Sequence, residues 1–180
     1  IGYLTCANNY RSTAVGWGAR SLAQGASSFG RNSYASGVYA SAVGFLACST
    51  NVGSSAFGNY AWASGACSTA VGYYSCASGA ESVATGRSSC ATATYSSAFG
   101  GFAKATNNFA SAFGYITYAL GNSSTAIGYK SCTTQIGATA IGFCAVATAA
   151  CSLVLGGCCV GIGISAPNSD SLVHIKKATG

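Results

Sequence analysis

The chain has 180 residues, of which half are hydrophobic and 6% charged, and its formal net charge is +6. Much of the remainder is Gly, Ala, Ser and Thr, without the Leu, Lys and Glu that enrich soluble helices. No apolar run of about 18 residues is present, which excludes a transmembrane helix, and the basic residues are too scattered for a nucleic-acid site. The abrupt start at Ile1, without Met, indicates a fragment of a longer chain.

A glycine recurs every 14 residues along most of the chain, without insertion or deletion. Such regularity is typical of repeat architectures and is not produced by chance. The twelve repeat glycines are Gly2, Gly16, Gly30, Gly44, Gly58, Gly72, Gly86, Gly100, Gly114, Gly128, Gly142 and Gly156.

The residues before each repeat glycine read Ser-x-Ala-Φ-Gly, where Φ is apolar, as in STAVG and SSAFG. Thr85, itself β-branched, is the one exception at Φ. Alternation with a period of two predicts a strand rather than a helix. We expect the Φ face to fill a core and the Ala and Ser face to admit a neighbouring backbone, while glycine permits the turn.

The other residues of each unit hold a second small-residue stretch, as in 73–79 and 129–137. Each unit therefore predicts two short strands and two turns, which make one coil of a solenoid. Stacked coils pair at about 4.8 Å and build a continuous core that one coil lacks. A ladder of Ala and Ser is poorly explained in a monomer, so we infer that three chains pack these faces around an axis.

The repeat unit closely resembles the head repeats of trimeric autotransporter adhesins of the YadA type, from Ile1 to about Gly156. The resemblance implies an all-β fold, a left-handed parallel β-roll or β-solenoid of about twelve 14-residue coils in an intertwined homotrimer. It also implies adhesion to host or neighbouring surfaces. Residues 1–156 are accordingly expected to form the β-roll repeat domain.

The 14-residue register is lost in 157–180, which we interpret as a junction segment leading to a further domain. Its 160–163 stretch, Pro167 and 172–175 resemble the V-G-I-G-T-x-x-P-x-x-x-L-H-V junction of viral and phage fibre proteins. In those proteins the junction often precedes a chaperone domain of the endosialidase type. The ten cysteines also favour a viral fibre, because autotransporter heads generally avoid cysteine.

Five cysteines lie four residues after a repeat glycine, namely Cys6, Cys48, Cys76, Cys90 and Cys132. The same phase elsewhere holds Arg, Lys and Trp, so we expect it to face solvent. Cys76 and Cys90 fall on adjacent coils, inside the Cα window of a disulfide although parallel Cβ vectors are not ideal for one. They are the candidate disulfide, and most other cysteines are expected to be reduced fillers. No cysteine pair has zinc-site spacing, and we expect no metal or cofactor.

Aromatic residues cluster just after the repeat glycines, at turn phases. Tyr60 and Trp62 lie one coil below Tyr73 and Tyr74, and Arg87 lies one coil further on. These side chains either cover a thin roll or form a platform on which sugar rings stack, with Arg87 placed to meet an acidic sugar. These five residues are the candidate glycan site.

We expect no enzyme, because the chain has two acidic residues, one histidine and neither a G-x-S-x-G elbow nor a P-loop. The favoured function is that of a trimeric viral surface or tail fibre segment that binds a host glycan or protein receptor. The alternative is the head of a bacterial autotransporter adhesin. Both place the segment outside the cell, on a virion or cell surface, without nucleic-acid binding or membrane insertion by the segment.

An ice-binding solenoid is a minor alternative that requires a flat, regular ladder of solvent-facing threonines. Thr13, Thr69, Thr125 and Thr139 recur irregularly along the chain. They also share a strand face with the residues expected to fill the core, which argues against this function.

Overall fold

A computed structural model describes residues 2–156, 160–162 and 173–175. This part of the chain is all-β and contains no helix, and therefore no helix able to cross a membrane. In chain order the strands are β1 (Cys6–Ala7), β2 (Thr13–Val15), β3 (Arg20–Ser21), β4 (Ser27–Phe29), β5 (Tyr34–Ala35), β6 (Ser41–Val43), β7 (Cys48–Ser49), β8 (Ser55–Phe57), β9 (Trp62–Ala63), β10 (Thr69–Val71), β11 (Cys76–Ala77), β12 (Val83–Thr85), β13 (Cys90–Ala91), β14 (Ser97–Phe99), β15 (Lys104–Ala105), β16 (Ser111–Phe113), β17 (Tyr118–Ala119), β18 (Thr125–Ile127), β19 (Cys132–Thr133), β20 (Thr139–Ile141), β21 (Val146–Ala147), β22 (Leu153–Leu155), β23 (Val160–Ile162) and β24 (Val173–Ile175).

Each 14-residue unit contributes one two-residue strand and one three-residue strand, as the repeat predicts. The odd-numbered strands β1 to β21 form a parallel 11-stranded sheet, the short-strand sheet, and β2 to β22 form a second, the long-strand sheet. Pairing joins residues 14 apart, as in Ala70 with Ala84. The described sheets thus make about eleven coils, since twelve glycines bound eleven units. Strands β23 and β24 pair with each other in a separate parallel sheet.

The interior of the roll is lined by Ala, Ser and Thr. Ala70 and Ala84 of the long-strand sheet and Ala63 and Ala77 of the short-strand sheet are fully buried. The largest fully buried side chains are those of threonine, such as Thr117. Side chains of this size let the two sheets approach more closely than the roughly 10 Å that separates ordinary packed sheets.

The expectation that the Φ residues fill the core is wrong. Phe57 and Val71 keep 40% and 37% of their surface exposed, while the adjacent Ala56 and Ala70 are fully buried. The reason is the small circumference of a 14-residue coil, which leaves room inside for little more than methyl and hydroxyl groups. Larger groups inside would force the sheets apart, a strain of about 1–3 kcal/mol per site. The Ala and Ser face therefore meets the opposite sheet of its own chain.

The repeat glycine is required by the stacking of the coils. Gly86 has φ +127, and a Cβ built on it would lie 2.6 Å from the carbonyl oxygen of Gly100 in the next coil. No side chain fits at that distance, and positive φ is readily adopted by glycine alone. The same approach recurs from coil to coil, which explains why the glycine never varies.

Two further turn residues in each coil have a left-handed backbone conformation. In most coils these residues are not glycine. They are the second and ninth residues after the repeat glycine, as at Tyr74 (φ 53) and Tyr95 (φ 58). Positive φ is rare for bulky residues, and it persists because stacking fixes the turns, as when the Tyr74 amide donates to the Asn59 carbonyl at 3.1 Å. Left-handed turns line two corners of the roll with outward side chains.

Candidate functional site

The outer side of the long-strand sheet, here called the long-strand face, carries two parallel ladders of side chains. In the described residues every position of both ladders is uncharged. The apolar ladder consists of Val15, Phe29, Val43, Phe57, Val71, Thr85, Phe99, Phe113, Ile127, Ile141 and Leu155, and the hydroxyl ladder of Thr13, Ser27, Ser41, Ser55, Thr69, Val83, Ser97, Ser111, Thr125, Thr139 and Leu153.

The apolar ladder forms a continuous strip along the roll. Its side chains project outward, and on two adjacent rungs the rings of Phe99 and Phe113 stack with centroids 5.1 Å apart. Large contiguous apolar patches on a soluble surface mark interaction sites. The Φ residues, and not the Ala and Ser residues, therefore form the exposed apolar surface of the roll.

The opposite side of the roll has a different chemistry. We call it the basic flank, defined as the first, second and fourth residues after each repeat glycine. Within the described residues it carries five of the six basic side chains, Arg20, Arg31, Arg87, Lys104 and Lys130, and Arg11 lies at the other corner.

Each basic side chain of the described residues lies over an aromatic ring. Arg31 lies between two rings, 5.0 Å from the centroid of Trp17 and 5.6 Å from that of Phe45. Such contacts hold a cation in place without neutralising it. The other pairs are Arg11 with Tyr10, Arg20 with Tyr34, Arg87 with Phe102, Lys104 with Tyr118 and Lys130 with Tyr129.

Glu81, the acidic residue within 2–156, interacts with a tyrosine. It accepts a hydrogen bond from the Tyr95 hydroxyl, and this contact raises the pKa of Tyr95. Tyr95 also stacks on Phe109, with centroids 5.2 Å apart. These residues lie at the corner away from the basic flank, so the positive charge of the flank stays available to an external anion.

Three of the five candidate glycan residues form one cluster. The rings of Tyr60 and Tyr74 stack face to face, 4.6 Å apart and 3° from parallel. Tyr73 meets Tyr74 edge-on at 4.5 Å and Tyr60 edge-on at 6.2 Å. Tyr60 and Tyr74 cover one face of each other's rings, while Tyr73 and Tyr74 stay 47% and 49% exposed and are the rings that a sugar can reach.

The other two candidate glycan residues lie beside the cluster. Trp62 is the outward residue of β9, where its register neighbours are Cys48 and Cys76, and it is 52% exposed. Arg87 is one coil beyond Tyr73, but its guanidinium lies 5.3 Å from the ring centroid of Phe102, toward the following coil. The structure thus divides the five residues into a tyrosine cluster, an exposed indole and a separate cation.

Two residues that sequence reasoning missed extend this cluster into a row. Phe45 meets Tyr60 edge-on at 5.3 Å, and Arg31 joins Phe45 to Trp17. The row therefore runs over five consecutive coils, from Trp17 to Tyr74. The shared phase of these residues, one or two positions after the repeat glycine, was the signal that could have identified them.

The candidate disulfide residues Cys76 and Cys90 are register neighbours in the short-strand sheet. A hydrogen bond from the Cys90 thiol, with a smaller contribution from Ser78, lowers the pKa of Cys76 to about 6. The same hydrogen bond and partial burial raise the pKa of Cys90. Both are unbridged in this structure, and the disulfide stays a prediction.

The threonines considered for ice binding project outward. Thr69 and Thr125 belong to the hydroxyl ladder of the long-strand face, so the objection that they share a face with core residues is wrong. Their spacing is still irregular, because serine occupies most other rungs. Ice binding stays a minor alternative. Among the described residues, no group of three or more His, Cys, Asp or Glu could hold a metal ion.

A family model for the YadA head domain repeat matches this chain in seven overlapping or adjacent stretches, 21–47, 49–75, 68–89, 77–103, 91–115, 105–131 and 119–143. Together they span 21–143 apart from residue 48, which is more than half of the chain. No curated protein matches it. The resemblance to a viral or phage fibre junction falls in 157–180, beyond the matched stretches and mostly outside the described residues. Fold and repeat agree, and the chain belongs to the family of YadA head domain repeat proteins.

Proposed function

We propose that this chain is a segment of a homotrimeric surface fibre that adheres to a host surface. The long-strand face lies toward the trimer axis, and the basic flank faces outward. The observation that carries the proposal is the contrast between the two sides of one roll. An uninterrupted uncharged ladder with large apolar residues lies on one side, and five cations held over aromatic rings lie on the other.

The energy available from the apolar ladder supports a trimer formed along its whole length. Fully burying a large apolar side chain contributes about 1.5–3 kcal/mol. Phe57 and Val71 have about two-fifths of their surface still exposed, so covering one rung adds about 1 kcal/mol. Association costs about 4–15 kcal/mol. Covering a few rungs contributes less free energy than this cost, whereas covering all eleven rungs contributes a comparable amount.

The role proposed for the basic flank is attachment and not catalysis. Its side chains form rows along the rod, and threefold symmetry presents each row three times. Weak contacts to a host glycan or protein receptor would then gain strength from multiple copies. The tyrosine cluster with Trp62 supplies ring area for sugars, and Arg31 and Arg87 supply charge for acidic groups.

The fibre is of either viral or bacterial origin. The ten cysteines support a viral surface or tail fibre, and the family match supports a bacterial autotransporter head as the second candidate. Both place the segment outside the cell. The full-length gene distinguishes them, because a chaperone domain after residue 180 indicates a viral fibre and an autotransporter membrane anchor indicates a bacterial adhesin.

Native mass spectrometry and light scattering of the folded chain test the assembly. The expected result is a particle of three chains that does not dissociate on moderate dilution. A glycan array probed with the same particle then tests attachment. A stable monomer contradicts the trimer, and a trimer that binds no glycan leaves attachment to a protein receptor or to another part of the fibre.

A further inference from the structure

Cys76 and Cys90 form a pair that no other described cysteines repeat on this face. They are the outward residues of β11 and β13, directly opposite each other in the parallel ladder. Both are half-buried and unbridged. The comparable Cys48 and Cys132 occupy the same phase, but their register neighbours are Tyr, Trp and Val.

The geometry of a parallel ladder disfavours direct bonding of the two sulfurs. Register neighbours are separated by about 4.8 Å and have parallel Cβ vectors. A disulfide requires Cβ atoms about 3.8 Å apart and sulfurs about 2.05 Å apart, so the two rungs would have to be drawn together. The stacked backbone on either side of β11 and β13 resists that movement.

The same spacing suits an ion held between the two sulfurs. Metal–thiolate bonds are about 2.3 Å long, so two of them in line span about 4.6 Å, close to the ladder spacing of about 4.8 Å. We propose that Cys76 and Cys90 bind one soft monovalent metal ion of the Cu(I) class as a two-coordinate bis-thiolate site. This inference does not depend on the adhesive function proposed above.

The ligands present select the ion. Tetrahedral zinc requires four ligands, commonly Cys or His, and no third His, Cys, Asp or Glu joins this pair among the described residues. Thiolate sulfur is a soft ligand that favours Cu(I). The two thiols release their protons to water on binding, so the complex of one monovalent cation with two thiolates carries one negative charge.

The residues next to the cysteine pair in the short-strand sheet are compatible with a negatively charged complex. Lys104 follows Cys90 in the same ladder and supplies a positive charge one rung away. Its ammonium lies 5.7 Å from the ring centroid of Tyr118, toward the next coil, and so leaves the sulfurs uncovered. On the other side, Trp62 precedes Cys76 in the ladder and places an indole beside the site.

Cu(I) titration of the reduced full-length chain in the absence of oxygen, against the chelator bicinchoninate, tests the site. Cys76→Ser and Cys90→Ser are each expected to lose one tightly bound Cu(I) per chain. Cys48→Ser and Cys132→Ser are the matched controls, because they lie at the same phase without a thiol neighbour, and they are expected to retain it. Circular dichroism verifies that each variant is folded.

X-ray absorption of the Cu(I) complex supplies an independent measurement. Two sulfur neighbours and no nitrogen neighbour are expected in the wild-type chain loaded with one Cu(I). The proposal is overturned if the pair variants bind as much Cu(I) as the controls. It is equally overturned if Cys76 and Cys90 form a disulfide that resists reduction in the folded chain.

Discussion

The two outer faces of the roll share one backbone geometry and differ in how their side chains vary from coil to coil. The apolar ladder of the long-strand face holds Val, Ile, Leu or Phe at every rung but Thr85. The equivalent column of the short-strand sheet holds Cys, Arg, Tyr, Trp, Lys and Val. Strand geometry cannot cause this difference, because both columns are outward positions of parallel ladders. The uniform face is the one that the proposed trimer would bury, and the varied face is the one that it would leave in solvent.

The largest effect is expected from the interior that supports both faces. Replacing Ala98 and Ala112 with Leu places bulk where both alanines are fully buried, and overpacking costs about 1–3 kcal/mol per site. We expect the chain to lose its folded β structure in circular dichroism, rather than only its assembly. The matched control, Phe99→Leu with Phe113→Leu, changes the adjacent outward residues and should remain folded. Equal melting temperatures for the two double variants would contradict the assignment of the interior.

Introducing a charge on the long-strand face tests assembly without disturbing the interior. Val71→Glu places three carboxylates near the proposed axis, where burying an unpaired charge costs several kcal/mol. We expect the trimer to dissociate, as measured by light scattering. Val146→Glu is the control, because Val146 is also an outward valine but belongs to the short-strand sheet. Dissociation of both variants, or of neither, would remove the distinction between the faces.

Removing rings from the basic flank tests its role in binding. The triple variant Tyr60→Ala, Trp62→Ala, Tyr73→Ala should stay trimeric and lose glycan binding by about tenfold or more, because each lost contact is repeated in three chains. A glycan array measures the change. The control is Tyr95→Ala with Phe109→Ala, which removes a stacked pair at the other corner. Identical glycan binding by the triple variant and the wild type would mean that the tyrosine cluster only covers the roll and does not bind glycan.

The smallest expected effect is on stability, and it concerns two buried serines with different hydrogen bonding. The Ser82 hydroxyl is buried without a hydrogen-bond partner, whereas the Ser96 hydroxyl donates to the Ala93 carbonyl at 2.6 Å. Ser82→Ala should therefore stabilise the roll by about 1 kcal/mol, and Ser96→Ala should destabilise it by about the same amount. Thermal unfolding should show shifts of a few degrees in opposite directions. Shifts of the same sign would mean that the two serines have equivalent surroundings.

Much of the candidate site could be located from the repeat phase, but not its contacts. The sequence placed Tyr60, Tyr73 and Tyr74 on adjacent coils, and the structure brings their rings together. It did not indicate that Tyr60 and Tyr74 cover each other, because that depends on left-handed turns at both residues. Nor did it show that Arg87 turns away to Phe102, since side-chain direction at a corner follows from the backbone of that turn.

The sequence by itself determined the parallel solenoid, its two strands per coil and its family, because a fixed 14-residue period with an unvarying glycine allows little else. Only the tertiary structure decided which side of each strand is inside. Alternation separates Ala70 from Val71, but it does not say which of the two faces the core. That choice follows from the closure of a coil, whose fully buried interior holds Ala, Ser and Thr, while the larger Val154 at the last described coil is only partly buried. The apolar ladder is consequently left on the outside of the roll.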